Sequence, residues 1–330
     1  MRHLVLLVAA ATTLSMFAPP ARAGTEVGKT PGPESERPSK IATALHDAIQ
    51  HPDRFPGLRI EVEGFLDQGI RSLTVYGRGF GVWNRERQIK LSEKQVRSCL
   101  QLLEKYDLLS MPERIGSEPT DERGRVPGEV TQLIRSVTLV IGEMSRTVEQ
   151  DNKAPESAAL REMVAGIVAI CGRSAKQGIT AANLEDGLKK IADGSLAPEL
   201  LRIAANAPEL ASLRDQEGQG WMLHLSHAVL TVTPHSLAHG VGAPVSRRLT
   251  AREIRDLARL LVRHRAPSWP GNLNLPGYFQ LSIRVLDRHV EVMARRFAGR
   301  AEPAPAVRTS FTAVRKALHD LPKATPDTSN

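Results

Sequence analysis

RSVTLVIGEMSRTVEQD (residues 135–151) and FQLSIRVLDRHVEVMAR (residues 279–295) decide how this chain is read. Each alternates apolar and polar residues on both sides of a short polar break, the pattern of two half-buried strands joined by a tight turn. Val137, Leu139, Ile141, Arg146, Val148 and Glu149 align without gaps to Phe279, Leu281, Ile283, Arg288, Val290 and Glu291. Self-similarity at a fixed spacing is the mark of an internal repeat.

The likeness extends outward on both sides. Leu91-Ser92-Glu93-Lys94-Gln95-Val96 matches Leu249-Thr250-Ala251-Arg252-Glu253-Ile254, each a Ser/Thr cap opening an amphipathic helix. Within those helices Cys99 matches Leu257, Leu102 matches Leu260 and Leu103 matches Leu261, and the helices run out at Met111-Pro112 and Trp269-Pro270. After the hairpins, Leu160, Val164, Ile167 and Cys171 match Val307, Phe311, Val314 and Leu318, one apolar stripe on a second helix. Upstream, extended segments are expected at Leu58–Glu63 and Ser72–Tyr76 in the first copy, and at Trp221–Leu225 and Ala228–Val232 in the second.

These patterns predict an α+β protein of two tandem ββαββα repeats. Each is a mostly antiparallel sheet with helices on one face, since alternating strands bury only one side. The expected organisation is a signal peptide (1–23), a flexible linker (24–38), an N-terminal helix (39–56), repeat 1 (57–175), a helical linker (176–219), repeat 2 (220–321) and a disordered tail (322–330). The linker reading rests on Leu184, Leu188, Ile191, Leu200, Leu201 and Ile203 as helical apolar positions, with Gly194 and Pro198 as breaks.

Met1-Arg2-His3, the apolar run Leu4–Phe17 and Ala21-Arg22-Ala23 read as a secretory signal cleaved after Ala23. The expected location is therefore periplasmic or secreted. No later stretch is apolar enough to span a membrane as a helix. Cys99 and Cys171 are the two cysteines. In an oxidising compartment they are a candidate disulfide, and otherwise two buried thiols.

Signatures of catalysis do not stand out. The chain has no G-x-S-x-G elbow, H-E-x-x-H, Walker loop or S-x-x-K, so no catalytic residue and no cofactor is expected. Gly77-Arg78-Gly79-Phe80-Gly81 follows a strand without opening a helix, which suits a turn or sheet edge better than a phosphate cradle. His224, His227, His235 and His239 cluster within sixteen residues, but their spacing is not that of a metal site, and none is expected.

Charge is more informative. Leu58–Arg173 holds 17 basic and 17 acidic residues, whereas Trp221–Asn330 holds 16 and 7, so the excess lies in the second copy. Arg248, Arg252, Arg255, Arg259 and Arg263 fall within about 80° on one helix face at ~100° per residue. That stripe is either a solvated face or a site for an anionic partner, such as an envelope protein or an anionic surface polymer. Aromatic residues make up only 4% of the chain, which argues against base stacking on nucleic acid.

The ββαββα order, the L-[ST]-x-x-x-[VI] helix start and the [VF]-x-L-x-I strand resemble small secreted bacterial domains of unknown function. They also resemble the emfourin family, inhibitors of thermolysin-type metalloproteases. Gly64-Phe65 and Gly69 in the first copy are similar to that family's glycine-rich opening, and the second copy has His227-Ala228-Val229 at the place aligned with it. The expected function is an exported noncatalytic binding protein of the cell envelope. The resemblance implies an alternative, inhibition of a metalloprotease.

Overall fold

The computed structural model describes residues 37–116, 134–151, 157–207, 220–236, 240–275, 278–295 and 301–323. The signal and most of the linker expected before residue 37 lie outside them, as does most of the tail. Among the described residues, no helix is long and apolar enough to cross a membrane.

The chain is α+β and forms two sheets. The first unit runs α1 (Arg37–Gln50), β1 (Arg59–Glu63), β2 (Ser72–Tyr76), β3 (Phe80–Trp83), β4 (Arg87–Lys90), α2 (Glu93–Lys105), β5 (Arg114–Ile115), β6 (Ile134–Ile141), β7 (Met144–Asp151), α3 (Ala158–Ala175) and β8 (Ile179–Thr180). The second runs α4 (Leu184–Asp193), β9 (Leu201–Ala207), β10 (Gly220–Ser226), β11 (Val229–Ser236), β12 (Gly240–Val241), β13 (Val245–Arg248), α5 (Ala251–Arg263), β14 (Asn272–Asn274), β15 (Phe279–Val285), β16 (Arg288–Arg295) and α6 (Pro305–Asp320).

The first sheet is ordered β5-β7-β6-β1-β2-β3-β4-β8. In the second, β14-β16-β15-β9-β10-β11 follow one another, with β13 and the short β12 both on β11. Pairing is antiparallel except at one edge of each sheet, where β5 runs parallel to β7 and β14 parallel to β16. Helices α1, α2 and α3 supply one core with Leu45, Leu103 and Ile167, against Ile60, Val75 and Leu139 of the sheet. Helices α4, α5 and α6 supply the other with Leu188, Leu261 and Val314, against Ile203, Leu225 and Ile283.

Local chemistry explains the helix boundaries. Ser92 and Thr250 each accept the backbone N–H three residues on, and Gln95 and Glu253 reach back to the cap, forming two capping boxes. Both helices then leave through a left-handed non-glycine residue, Asp107 (φ 50°) and Arg265 (φ 53°). Gly166 lets α3 approach α2, because a Cβ there would lie 2.7 Å from Leu102 Cδ1.

Several sequence expectations are corrected. The order in each unit is not ββαββα, because β1, β2, β3 and β4 precede α2, and β9 to β13 precede α5. The segment 176–219 is not a helical linker. Leu201–Ala207 is a strand at the centre of the second sheet, with Leu201, Ile203, Ala205 and Ala207 buried on alternate positions. The helical spacing of Leu184, Leu188 and Ile191 had masked the switch to period two. Helix α4 belongs to the second core as well, where it packs beside α5. The expected first strands of the second copy, Trp221–Leu225 and Ala228–Val232, therefore correspond in pairing order to β2 and β3, one strand later than read.

The hairpin alignment is shifted as well. Ile141 pairs with Met144 across Gly142-Glu143, and Val285 pairs with Arg288 across Leu286-Asp287. Matching the turns sets Ile141 against Val285 and Leu139 against Ile283, two residues from the ungapped alignment. A slip of two preserves which face is buried, so the apolar pattern did not reveal it.

Candidate functional site

The two units meet through the outer face of the first sheet. Tyr76 and Phe80 lie there in one cross-strand row, stack with ring centroids 4.3 Å apart, and are buried in contact with the second core. Opposite them, His227-Ala228 turns β10 into β11 with φ of 51° and 63°. Two positive φ values in a two-residue loop suit the right-handed twist of a hairpin, but the positions favour Gly or Asn. The corresponding tip in the first sheet is Gly77-Arg78-Gly79.

The tips and their surroundings interlock. Tyr76 Oη and His227 Nδ1 are hydrogen-bonded at 2.8 Å. Arg78 Nη1 donates to Glu199 Oε1 at 2.7 Å, and the Ala197 N–H donates to Gln88 Oε1 at 2.7 Å. Glu199 is only 4% exposed, a buried carboxylate held by its ion pair with Arg78. Arg248 lies so close to Gly57 that a Cβ there would strike its guanidinium.

Beside this contact opens a cleft of about 140 Å³ between the polar sheet faces. Glu61, Glu63 and Thr74 line one wall, and Arg202, Arg284 and Leu286 the other, with Tyr76, Glu199 and His227 where the walls join. Each carboxylate has an arginine. Glu61 pairs with Arg59 at 2.6 Å, Glu63 with Arg85 at 2.7 Å and Glu199 with Arg78 at 2.7 Å. Arg202 and Arg284 are register partners on β9 and β15. Neither has a carboxylate partner among the described residues; the Arg202 Nη2 contact is His227 Nε2, at 3.5 Å.

Burial pushes the His227 imidazole down to about 3, helped by the positive charges of Arg59 and Arg202. Glu61 Oε1 lies 3.6 Å from Nε2, but Arg59 already neutralises it. His227 is therefore neutral near pH 7. Burial also raises the Tyr76 phenol, so it stays protonated. The cleft thus joins a neutral Tyr–His pair to two cations lacking counter-charge. Tyr76, Glu61, Arg202 and Arg284 were not singled out from the sequence. The signal was the triplet Leu58-Arg59-Ile60, repeated as Leu201-Arg202-Ile203, which marks the two central strands.

The five arginines of the stripe divide. Arg248 ends β13 and precedes the Thr250 cap, so it belongs to the junction rather than to the helix. Arg255 lies against Gly194 at the end of α4. Arg259 donates to the Ala192 carbonyl at 3.0 Å and pairs with Asp256 at 2.6 Å. A cation at a helix C-terminus complements the helix dipole, so these two serve packing. Arg252 and Arg263 are exposed, as is the outer part of Arg259.

Cys99 and Cys171 are free and fully buried on the facing helices α2 and α3. A hydrogen bond between the two side chains and burial raise the Cys99 thiol far above its usual range. Among the described residues, no three His, Cys, Asp or Glu side chains gather as a metal site. His224 stands on β10 and His227 in the turn, whereas His239 and the side chain of His235 lie outside the described residues.

Compared with known proteins, the chain matches no family model and no curated protein.

Proposed function

We propose that the chain is an exported, noncatalytic binding protein of the cell envelope that takes an anionic partner through its second unit. The observation that carries this reading is the charge imbalance of Trp221–Asn330, 16 basic against 7 acidic, together with the exposure of Arg252 and Arg263 on one side of α5. Several of the few acids there are engaged internally, Glu253 by Arg247 and Asp256 by Arg259. A surface of one sign attracts a polyanion and loses that attraction as salt screens it. The test is retention of the purified chain on envelope fractions across a salt series. Arg252→Glu with Arg263→Glu should release it at markedly lower salt, while Arg255 and Arg259 are left intact to preserve α4. Retention equal to the parent chain would reject the reading.

Inhibition of a thermolysin-type metalloprotease is favoured by one feature. Leu66 is 52% exposed on a short turn between Gly64 (φ 83°) and Gly69 (φ 72°), anchored by buried Phe65. A protruding apolar side chain on a braced loop suits insertion into a protease subsite. Full residual activity of such a protease at excess chain would remove this alternative.

A further inference from the structure

We infer that the cleft between the units binds a compact oxyanion, a carboxylate or phosphate group, between the guanidiniums of Arg202 and Arg284. This site is separate from the outer face of α5 and does not depend on the proposal made for it.

Arg59 on β1 faces Val140 on β6, and Arg202 on β9 faces Arg284 on β15. These are corresponding places in the two sheets. In the first sheet the arginine is neutralised by Glu61, two residues on along the same face. In the second sheet that place holds Ala204, and the strand opposite adds a second arginine instead of a valine. The second sheet has thus lost the carboxylate and gained a cation at one spot.

Like charges directly opposite on neighbouring strands destabilise a sheet. Their repulsion is relieved when an anion lies between them. Two planar guanidiniums side by side offer parallel N–H pairs that match the oxygens of a carboxylate or phosphate. Glu61, Glu63 and Glu199 cannot serve internally, because each is held by its own arginine.

The walls fit such a guest. At about 140 Å³ the cleft admits several waters by the measure of roughly 10–15 Å³ for one, which suits a small ion or the end group of a larger molecule. Leu286 closes one side in a left-handed conformation (φ 55°). Its counterpart in the first hairpin turn, Gly142, has the same sign of φ (62°) with open space around it. The second unit therefore carries two non-glycine residues, Leu286 and His227, in a conformation that favours glycine at the edge of the cleft, and the first unit adds Arg85 in the same backbone region. Tyr76 and neutral His227 complete the end of the cleft without adding negative charge.

Calorimetric titration of the purified chain with sodium phosphate, and separately with sodium acetate, tests the site at constant ionic strength. Saturable binding of either anion is expected. Arg284→Gln and Arg202→Gln should each weaken it about tenfold or more, the loss of one charge-assisted contact. Arg308→Gln on α6 should leave it unchanged. The anion that binds more tightly identifies the guest as phosphate or carboxylate. Circular dichroism checks the fold, and if Arg284→Gln unfolds, Arg284→Lys replaces it with a several-fold loss expected from losing the fork alone. No saturable heat with either anion, or equal affinity in the variants that fold, would overturn the assignment. Envelope retention that survives Arg284→Gln would leave the proposal for α5 standing whichever way this test falls.

Discussion

Arg59 and Arg202 occupy corresponding places on the central strands of two sheets that share an order, yet their surroundings differ in charge. The first has Glu61 beside it and Val140 across from it, whereas the second has Ala204 and Arg284. The interiors behind them are nearly interchangeable, with Ile60 and Leu139 behind one and Ile203 and Ile283 behind the other, all buried. The lesson is that the apolar face of a strand is constrained by packing while its polar face is free to change. Where two sheets of like strand order differ on the polar face, the difference is the place to look for function.

The largest effect tests the sameness of the interiors. Leu139→Ala and Ile283→Ala remove corresponding side chains that are fully buried. Each should lower stability by about 2–5 kcal/mol, the usual cost of such truncations. Urea titration followed by tryptophan fluorescence measures both. Losses differing by much more than the spread of that range would show that the two cores are not equivalent.

Much of this comparison was legible in the sequence, and its failures have physical causes. Ser92 and Thr250 announced the two central helices because a cap is a local signal, readable from four residues. The α+β class followed from the alternation around residues 137 and 281. Strand β9 was missed because Leu200, Leu201 and Ile203 continue a helical spacing that begins at Leu184, and only pairing with β10 and β15 makes 201–207 a strand. The cleft was illegible for a different reason. Glu61, Tyr76, Arg202 and His227 are brought together by the packing of one unit on the other, from positions up to about 170 residues apart, and no periodicity encodes that contact.

Acid should separate the units before it dissolves either core. The groups facing His227 are Tyr76, Glu61, Arg59, Arg202, His224 and Arg248, and cations outnumber the single carboxylate. Its ordinary value is 6.5 and the folded value about 3, so the unfolded chain takes up the proton first. Stability from this group is full above pH 6.5 and falls as the pH drops towards 3. The loss is on the order of a few kcal/mol when complete. His224, also held down by burial, adds in the same direction. Replacing His227→Asn keeps a residue that tolerates positive φ and should flatten the dependence of the urea midpoint between pH 7 and pH 4.5. An unchanged slope would place the acid sensitivity elsewhere. The first unit offers an internal control, because its corresponding tip is Gly77-Arg78-Gly79, with no histidine.

The cysteines sharpen the contrast from inside the cores. The first unit holds Cys99 and Cys171 where the second holds Leu257 and Leu318, so one interior can be cross-linked and the other cannot. Export into an oxidising compartment would favour a bridge between α2 and α3. Closing a loop of that length contributes about 2–4 kcal/mol, chiefly by restricting the unfolded chain. Mild oxidation of the purified chain followed by non-reducing peptide mapping should find the Cys99–Cys171 cross-link, with a raised urea midpoint that dithiothreitol reverses. Thiols still free after oxidation of chain held in partly denaturing urea would show that the two sulfurs cannot reach bonding geometry.

The smallest effect is also the most direct test of why the two walls differ. If Ala204 is what leaves the second wall cationic, Ala204→Glu should restore the arrangement of the first, with a carboxylate two residues beyond the arginine on the same strand face. Neither arginine is removed, and residue 204 is exposed, so stability should change by no more than about 0.5 kcal/mol. Oxyanion affinity should nevertheless fall about tenfold, because the new carboxylate competes for Arg202 at far higher effective concentration than a free ion. The reciprocal change, Glu61→Ala, frees Arg59 but leaves it opposite Val140. A single guanidinium lacks the second fork, so Glu61→Ala should create much weaker binding than the second wall shows. Equal binding by Ala204→Glu and the parent chain would mean that charge is not what distinguishes the walls, and the comparison would reduce to two sheets with similar strand order and no functional divergence between them.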